Sequence, residues 1–324
     1  MTNIVLHIAG GIGKCIAATA VCQAIKRKFP DDKLIVISGY PDVFLGNPHV
    51  SRTFAFGTLS YFYTDYIEGK DCRVFAHDPY LETTHIKNEQ HLIKTWCEMF
   101  DVPYDGSLPK IYLTDREINY FKNKFQTDKP IFVLQTNGGA PGQDNKYSWA
   151  RDIPASITKK VIAEFKDEFT IAHVRRDDQP AFEDTSHVQD NFRSIAVLLH
   201  LSKKRLLMDS FGQHAAAALG LQSTVLWIAN KPKVFGYDIH DNIRANPETL
   251  EPELRGSVFN KYNIAGDPLE FPYRSEDEIF NLEPILLSLR AQGDDPVFEE
   301  APPPTEHKPG ERKGSKKNSP IKPK

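Results

Sequence analysis

The chain is short of several things, and each shortage removes a class of explanation. It has only four cysteines in 324 residues, Cys15, Cys22, Cys72 and Cys97, with no C-x-x-C spacing among them. That argues against a disulfide scaffold or a cysteine metal site, and for buried thiols in a reducing compartment. No apolar run approaches the roughly 18 residues that span a bilayer. The N-terminus enters an apolar strand directly, without the basic start and apolar core of a signal peptide. The expected location is cytoplasmic, without stable membrane insertion, and any contact with the inner membrane face is peripheral. Neither sign of charge dominates: 40 Lys and Arg face 43 Asp and Glu, a net −3. Nothing therefore draws the whole chain to nucleic acid or an anionic surface. With 40% hydrophobic and 26% charged residues, the composition is that of a globular protein, long enough for two domains.

Apolar runs and their punctuation organise the chain. Asn3 to Ile8 reads as a buried strand, Gly10, Gly11 and Gly13 as a turn, Ile16 to Phe29 as a helix and Lys33 to Ser38 as a second strand. This is a βαβ opening, so residues 1–127 are expected to form a Rossmann-like, doubly wound α/β domain. Arg73 to Ala76 is a further strand, and Asn88 to Phe100 and Asp115 to Phe125 are helices. Asp128-Lys129-Pro130 reads as a linker into a second Rossmann-like domain, residues 128–292, with strands at Ile131–Gln135, Phe169–His173, Arg205–Met208 and Thr224–Ile228. The helix Glu276–Ala291 ends it, either staying there or crossing back to the first domain. Residues 293–324 are rich in Pro, Lys, Gly and Ser and read as a disordered basic tail. It serves either as a solubilising segment or as an arm for a polyanion.

The most informative run is Met208-Asp-Ser-Phe-Gly-Gln-His-Ala-Ala-Ala-Ala-Leu-Gly220. A strand ends, a turn carries Asp209, Ser210 and Gly212, and an Ala-rich helix follows. A helix N-terminus offers free N–H groups and a positive dipole end to an anion. Gly212 lets the backbone approach a ligand closely, Gln213 borders it, and His214 reaches a phosphate from the first turn. The alternative is an ordinary strand–turn–helix whose alanines only allow tight packing. A second loop, Ala9-Gly-Gly-Ile-Gly-Lys-Cys15, has the look of a deviant phosphate-binding P-loop, but Cys15 stands where a magnesium-holding hydroxyl belongs.

The run from Asp209 to Gly220 resembles the Asp-Ser/Thr-Gly-x-x-His-x-Ala-Ala-Ala-x-Gly signature of the heptosyltransferase-like glycosyltransferases, glycosyltransferase family 9, with the glycine one place later. Arg193–Ser202, the run from Gly10 through Phe29-Pro30 to Asn47-Pro48, and Leu134-Gln-Thr-Asn-Gly-Gly139 with Lys146 and Trp149 are similar to that family in the same order. The resemblance implies a GT-B fold, two Rossmann-like domains facing across a cleft. It implies a nucleotide-diphosphate sugar as donor, held by Thr136, Asn137, Lys146, Asp209, Ser210, Gly212, Gln213 and His214. The acceptor would lie against Gly10, Gly11 and Gly13. The family also implies inversion of configuration and no metal or cofactor, and no Asp-x-Asp pair occurs in the chain.

One departure stands out. The family carries an Asp directly after this glycine, where it serves as catalytic base, and this chain has Lys14. A Lys suits a base only with a strongly depressed pKa, and otherwise neutralises a diphosphate. Asp78 and His77, at a strand end, are the substitute base candidates, unless the pair is only a turn capped by Asp78 before Pro79. Lys146 either stabilises the leaving phosphate or is a surface lysine. His173, Arg175 and Arg176 are nucleotide contacts or part of a salt-bridge cluster with Asp177 and Asp178. Trp227–Asn230 borders the donor's base and ribose. The expected activity is sugar transfer to a lipopolysaccharide-type or other glycan, a glycolipid, or a modified base in nucleic acid. A non-catalytic sugar-nucleotide-binding protein and a P-loop-like NTPase are the competing readings.

Overall fold

The computed structural model describes residues 2–139, 150–246 and 275–293. The first unit runs β1 (Asn3–Ile8), α1 (Ile12–Lys28), β2 (Lys33–Ser38), β3 (Arg52–Ala55), β4 (Cys72–Phe75), α2 (Thr83–Ile86) and α3 (Leu92–Met99). α4 (Asp115–Lys124) leads into the second unit: β5 (Ile131–Leu134), α5 (Ala155–Phe165), β6 (Thr170–Val174), β7 (Ser186–Val188), α6 (Phe192–Leu201) and β8 (Lys204–Met208). It continues through α7 (Phe211–Ala218), β9 (Thr224–Trp227), α8 (Pro232–Phe235), β10 (Asp241–Arg244) and α9 (Leu282–Ala291). The expected tail, residues 293–324, lies outside the described residues from residue 294 onward, and so does Lys146.

Each unit is built on a parallel sheet. The first has the order β3-β2-β1-β4 and the second β10-β9-β8-β5-β6-β7. β1 lies between β2 and β4, with Val5 opposite Ile35 and Val74. β5 lies between β6 and β8, with Val133 opposite Ala172 and Arg205. Counted from its own first strand, each sheet runs 3-2-1-4, and the second goes on to 5 and 6. That is the doubly wound order, whose direction reverses beside the first strand and opens a ligand crevice at the carboxyl ends there. The expected fold class is therefore found: two Rossmann-like α/β units of the GT-B kind. Strands β3, β7 and β10 went unread because they are three or four residues long, lie at sheet edges and carry polar residues in place of an apolar run.

The helix α1 begins at Ile12, four residues before its expected start, so Gly13 and Lys14 belong to its first turn rather than to a loop. It is buried from Lys14 to Ile25, as a helix covered on all sides must be. One side packs on the first sheet and the other meets α7, whose Ala215–Ala218 are all buried. A single apolar core thus runs from β1 and β2 through α1 to α6 and α7. A second core fills the far face of the second sheet under α5 and α9. There Gln292 exchanges two hydrogen bonds with the Arg205 backbone, accepting from its N–H at 2.8 Å and donating to its carbonyl at 3.0 Å. Lys204 Nζ donates to the Leu289 carbonyl at 2.7 Å. These bonds keep α9 on the second sheet, and it does not cross back to the first.

α4 starts with a capping box between Thr114 and Glu117. The Glu117 carboxylate also accepts two bonds of 2.8 Å from Arg193 of α6, and Arg193 donates to the Tyr112 carbonyl at 2.6 Å. Burial pushes the Glu117 carboxyl up, but the bonds from Arg193 and Thr114 outweigh it and hold the group below its ordinary value. A lowered carboxyl pKa contributes stability above the unfolded value, lost as pH falls through the folded one. Arg193→Ala should cost about 2–3 kcal/mol in denaturant unfolding at pH 7, and the difference from the parent should shrink below about pH 4.

Candidate functional site

The two crevices face each other. What holds them together is the contact between the N-terminal turns of α1 and α7. A Cβ built on Gly13 would lie 2.8 Å from His214 Cδ2 and 3.5 Å from the Phe211 Cα, so only glycine admits the imidazole here. Two adjoining cavities result, of about 470 and 540 Å3, sharing Ile12, Tyr40, Gly139, Ser210 and Phe211 as common walls. Each has the size of a small-molecule site. The smaller extends over the ends of β5, β6 and β7, past Asn137, Arg176, Asn191 and Phe192. The larger lies between Gly10–Lys14 and Tyr80 on one side and Arg151, Asp209, His214 and Asn230 on the other.

On the first unit, Gly10 turns the chain at φ +115°, and a Cβ there would press on Lys14 at 3.1 Å. Lys14 is buried, and its ammonium donates to Asp78 Oδ1 at 2.6 Å and sits 4.5 Å from the Tyr80 ring centre. Asp78 Oδ1 also accepts from Tyr80 N–H at 2.9 Å, capping the turn that begins at Pro79. Both bonds go to one oxygen, and among the described residues none reaches Oδ2. Asp78 does not line the cavity wall itself; it stands behind Lys14, with 35% of its side chain exposed. His77 is exposed. The P-loop reading fails here: the lysine is engaged by a carboxylate, and Cys15 points into the core toward Ser38 Oγ at 3.7 Å. Burial raises that thiol to about 11.

On the second unit the structure moves several expected contacts inward. Gly212 makes room for a side chain, not for a ligand: its missing Cβ would fall 2.3 Å from Gln135 Oε1, which accepts the Gly212 N–H at 3.2 Å. Gln135 Nε2 donates to Ser210 Oγ at 3.4 Å. Gln213 is fully buried and donates to the Phe235 carbonyl. Thr136 is buried too, between Asn137 Oδ1 at 2.7 Å and His173 Nε2 at 2.8 Å. These three residues support the site from behind. Asp209, Ser210 and His214 do line the larger cavity, and Asn137 lines the smaller. Asp209 Oδ2 accepts from Asn230. Asp152 clamps the loop after β5, accepting from Asn137 Nδ2 at 2.7 Å and Gly138 N–H at 3.1 Å.

The cations divide clearly. Arg176 is held bidentately by Asp178, at 2.8 and 3.0 Å, and donates to the Gly139 carbonyl at 2.6 Å. It borders the smaller cavity as a structural clasp. Arg151 was missed by the sequence reading. Its guanidinium carbon is 3.2 Å from where a Gly138 Cβ would be, with Ser210 Oγ 3.3 Å from the same point. Among the described residues no carboxylate forms a salt bridge with it. Nothing in the sequence marked it as the cation beside the Gly138–Ser210 wall, because that placement depends on how the second sheet brings Gly138 and Ser210 together.

His214 Nδ1 pairs with the Tyr237 hydroxyl at 2.8 Å. Burial raises that hydroxyl's pKa and lowers the imidazole's to about 3, so His214 is neutral at neutral pH. With Tyr237 donating, its Nε2 carries the proton on the Gly13 side. His91 and His240 also pack around Tyr237, and burial lowers each to about 4. Below the ordinary histidine value the unfolded chain takes up protons that these folded imidazoles refuse. Stability present above pH 6.5 is therefore lost as pH falls toward 4, by about 1.4 kcal/mol per pH unit per histidine. Urea unfolding across that window should show this slope, and His240→Gln should flatten it.

No family model matches the chain. No curated protein matches it either. Solved structures do. A glycosyl transferase of family 9 from Veillonella parvula DSM 2008 superposes with a TM-score of 0.64 at 11% identity, over 89% of this chain and 96% of that one. The ADP-heptose LPS heptosyltransferase II of E. coli gives 0.64 at 12% identity, over 90% and 98%. The E. coli heptosyltransferase WaaC with ADP gives 0.51 at 12%, over 76% and 94%. The chain has the GT-B fold of these glycosyltransferases.

Proposed function

We propose that the chain is a glycosyltransferase related to family 9, moving a sugar from a nucleotide-diphosphate sugar to an acceptor hydroxyl with inversion and without a metal. The observation that carries this reading is the pair of switch-point crevices closed face to face, with Arg151 between them and no carboxylate paired with it among the described residues. The sequence resemblance and the shared fold support it. Two of the similar structures are named for ADP-heptose or hold ADP, which favours an adenosine diphosphate donor.

The nucleoside would occupy the 470 Å3 cavity, its base against Phe192 and Ile195. The diphosphate would lie over Gly138 and Ser210 beside Arg151, whose planar fork suits phosphate oxygens. The sugar would enter the 540 Å3 cavity near Asp209, Asn230 and His214. Asp78 is off the cavity wall but partly exposed; an acceptor hydroxyl that reaches Oδ2 from that exposed side gives up its proton there while Lys14 fixes Oδ1. The freed oxygen attacks the anomeric carbon from the face opposite the diphosphate. The carbon–oxygen bond to the diphosphate breaks, and its electron pair leaves with the phosphate. Arg151 and the neutral Nε2–H of His214 meet the growing charge without reorganising. Attack from the opposite face inverts the centre. The lysine at position 14 supports a second reading, a sugar-nucleotide-binding protein without turnover.

Thermal unfolding against ADP-, GDP- and UDP-linked sugars tests the donor site. A ligand at a hundred times its Kd adds about 2.7 kcal/mol, and Arg151→Met should abolish the shift. A shift only with ATP and magnesium would overturn the reading. Asp78→Asn should keep the donor shift and lose about 100-fold or more in turnover. Unchanged turnover would place the base elsewhere, and no turnover in the parent with any acceptor would favour the binding protein.

A further inference from the structure

The first sheet stops at β4, and among the described residues β1 is the sole strand bonded to it. The Asn3 N–H donates to the Asp71 carbonyl at 2.9 Å. With Asn3 opposite Cys72, the ladder continues through Arg73 and Phe75. Alternate residues of a strand in such a ladder turn their backbone groups to opposite sides. The N–H and C=O of Cys72 and Val74 therefore point away from the sheet, and no described backbone segment bonds to them. Lys70, Asp71, Cys72, Arg73 and Val74 are all exposed, and Val74 is an apolar side chain at 54%. An open edge of this kind is a template for another strand unless something blunts it. Residues 70–75, Lys-Asp-Cys-Arg-Val-Phe, contain no proline, and the β1–β4 register runs through without a bulge.

The side chains restrict what can pair there. Arg73 and Phe75 lie on the face covered by α1 and α3: the Arg73 guanidinium is 4.6 Å from the Phe29 ring centre, and Phe75 stacks on Phe100. Asp71 shares that face by the period of two, and Cys72 and Val74 take the other. A second β4 laid antiparallel about a two-fold axis must match residues of the same alternation, so its centre falls on Cys72, Arg73 or Val74. Centring on Arg73 sets two arginines against each other, which destabilises a pair of strands. Centring on Val74 puts Arg73 opposite Phe75 and matches no charge. Centring on Cys72 puts Asp71 opposite the partner's Arg73, and symmetry repeats that match. Val74 then lies under the methylene stem of the partner's Lys70. One register of the three is charge-complementary with itself.

We propose that β4 is a self-pairing edge, on which a second copy of this chain docks antiparallel about Cys72, so that one sheet runs through both copies. Each Cys72 N–H donates to the partner's Cys72 carbonyl, and each Val74 N–H to the partner's Lys70 carbonyl. The contact is isologous and closes at two copies. The backbone bonds supply attraction, and the two Asp71–Arg73 matches fix the register. A contact of one short strand is small, so the association is weak and depends on concentration. The carboxyl ends of the two β4 strands point away from each other, which leaves both clefts open. The inference therefore stands apart from the transferase reading.

Sedimentation equilibrium of the full chain under reducing conditions tests this, and a monomer–dimer equilibrium is expected. Asp71→Arg and Arg73→Asp should each weaken it at least about tenfold. An equimolar mixture of the two variants should associate again, because every arginine of one copy then faces an aspartate of the other. Misfolded variants would not recover on mixing. Val74→Pro removes an outward N–H and no bond to β1, so it should give a monomer whose melting temperature stays close to the parent's. Mild oxidation with diamide should join two chains through Cys72, the one exposed cysteine. The paired register holds the two Cα atoms about 5.5 Å apart, within the reach of a disulfide. A chain that stays monomeric overturns the proposal, whether solvent or another segment of the same chain takes the edge. So does a dimer that survives Val74→Pro and both charge changes, a mixture that does not recover, or a parent dimer that oxidation fails to link at Cys72.

Discussion

The approach of α1 to α7 is the contact on which the site depends. Each sheet alone makes one open crevice at its own switch point, too shallow to enclose a reaction. Small residues bring the two helices together: Gly13 admits the His214 ring, and the buried Ala215–Ala218 lie against a helix that is itself buried from Lys14 to Ile25. The apolar core then runs without a break from one unit to the other. The same contact places two helix N-termini, with their positive dipole ends, on the walls of one cleft. The Arg193–Glu117 pair, near the link between the units, adds a second tie.

Charge is distributed so that the cleft keeps its reactive options. Lys14 and Arg176 are each committed to a carboxylate, and His214 is neutral through burial. Among the described residues, Arg151 is the cation beside the Gly138–Ser210 wall, and Arg175 also lines the smaller cavity. A site that binds a diphosphate but must let it leave is better served by one planar cation and oriented neutral donors than by an excess of ammonium groups.

Much of this architecture was legible in the sequence, for identifiable reasons. β1, β2, β5 and β8 each carry a largely apolar stretch because parallel central strands are covered on both faces, and the glycines after β1 and the alanines of α7 mark close backbone approach. The edge strands β3, β7 and β10 carried no such signal. Within the site, Lys14 and Asp78 were both singled out, but their pairing across 64 residues was not visible. Gly212 shows the limit best. Its glycine was read as space for a ligand, whereas the space belongs to Gln135, 77 positions earlier. Single-residue motifs locate a turn; what fills the turn is settled by whichever distant side chain the sheet brings alongside.

A crystal of the chain soaked with a nucleotide-diphosphate sugar would test the central claim most directly. The account predicts the nucleoside over the ends of β5 to β7, the diphosphate between Arg151 and Ser210, and the anomeric carbon turned toward the Lys14–Asp78 pair. Phosphates seated instead on the Gly10–Lys14 loop, or a nucleotide bound outside both cavities, would contradict it.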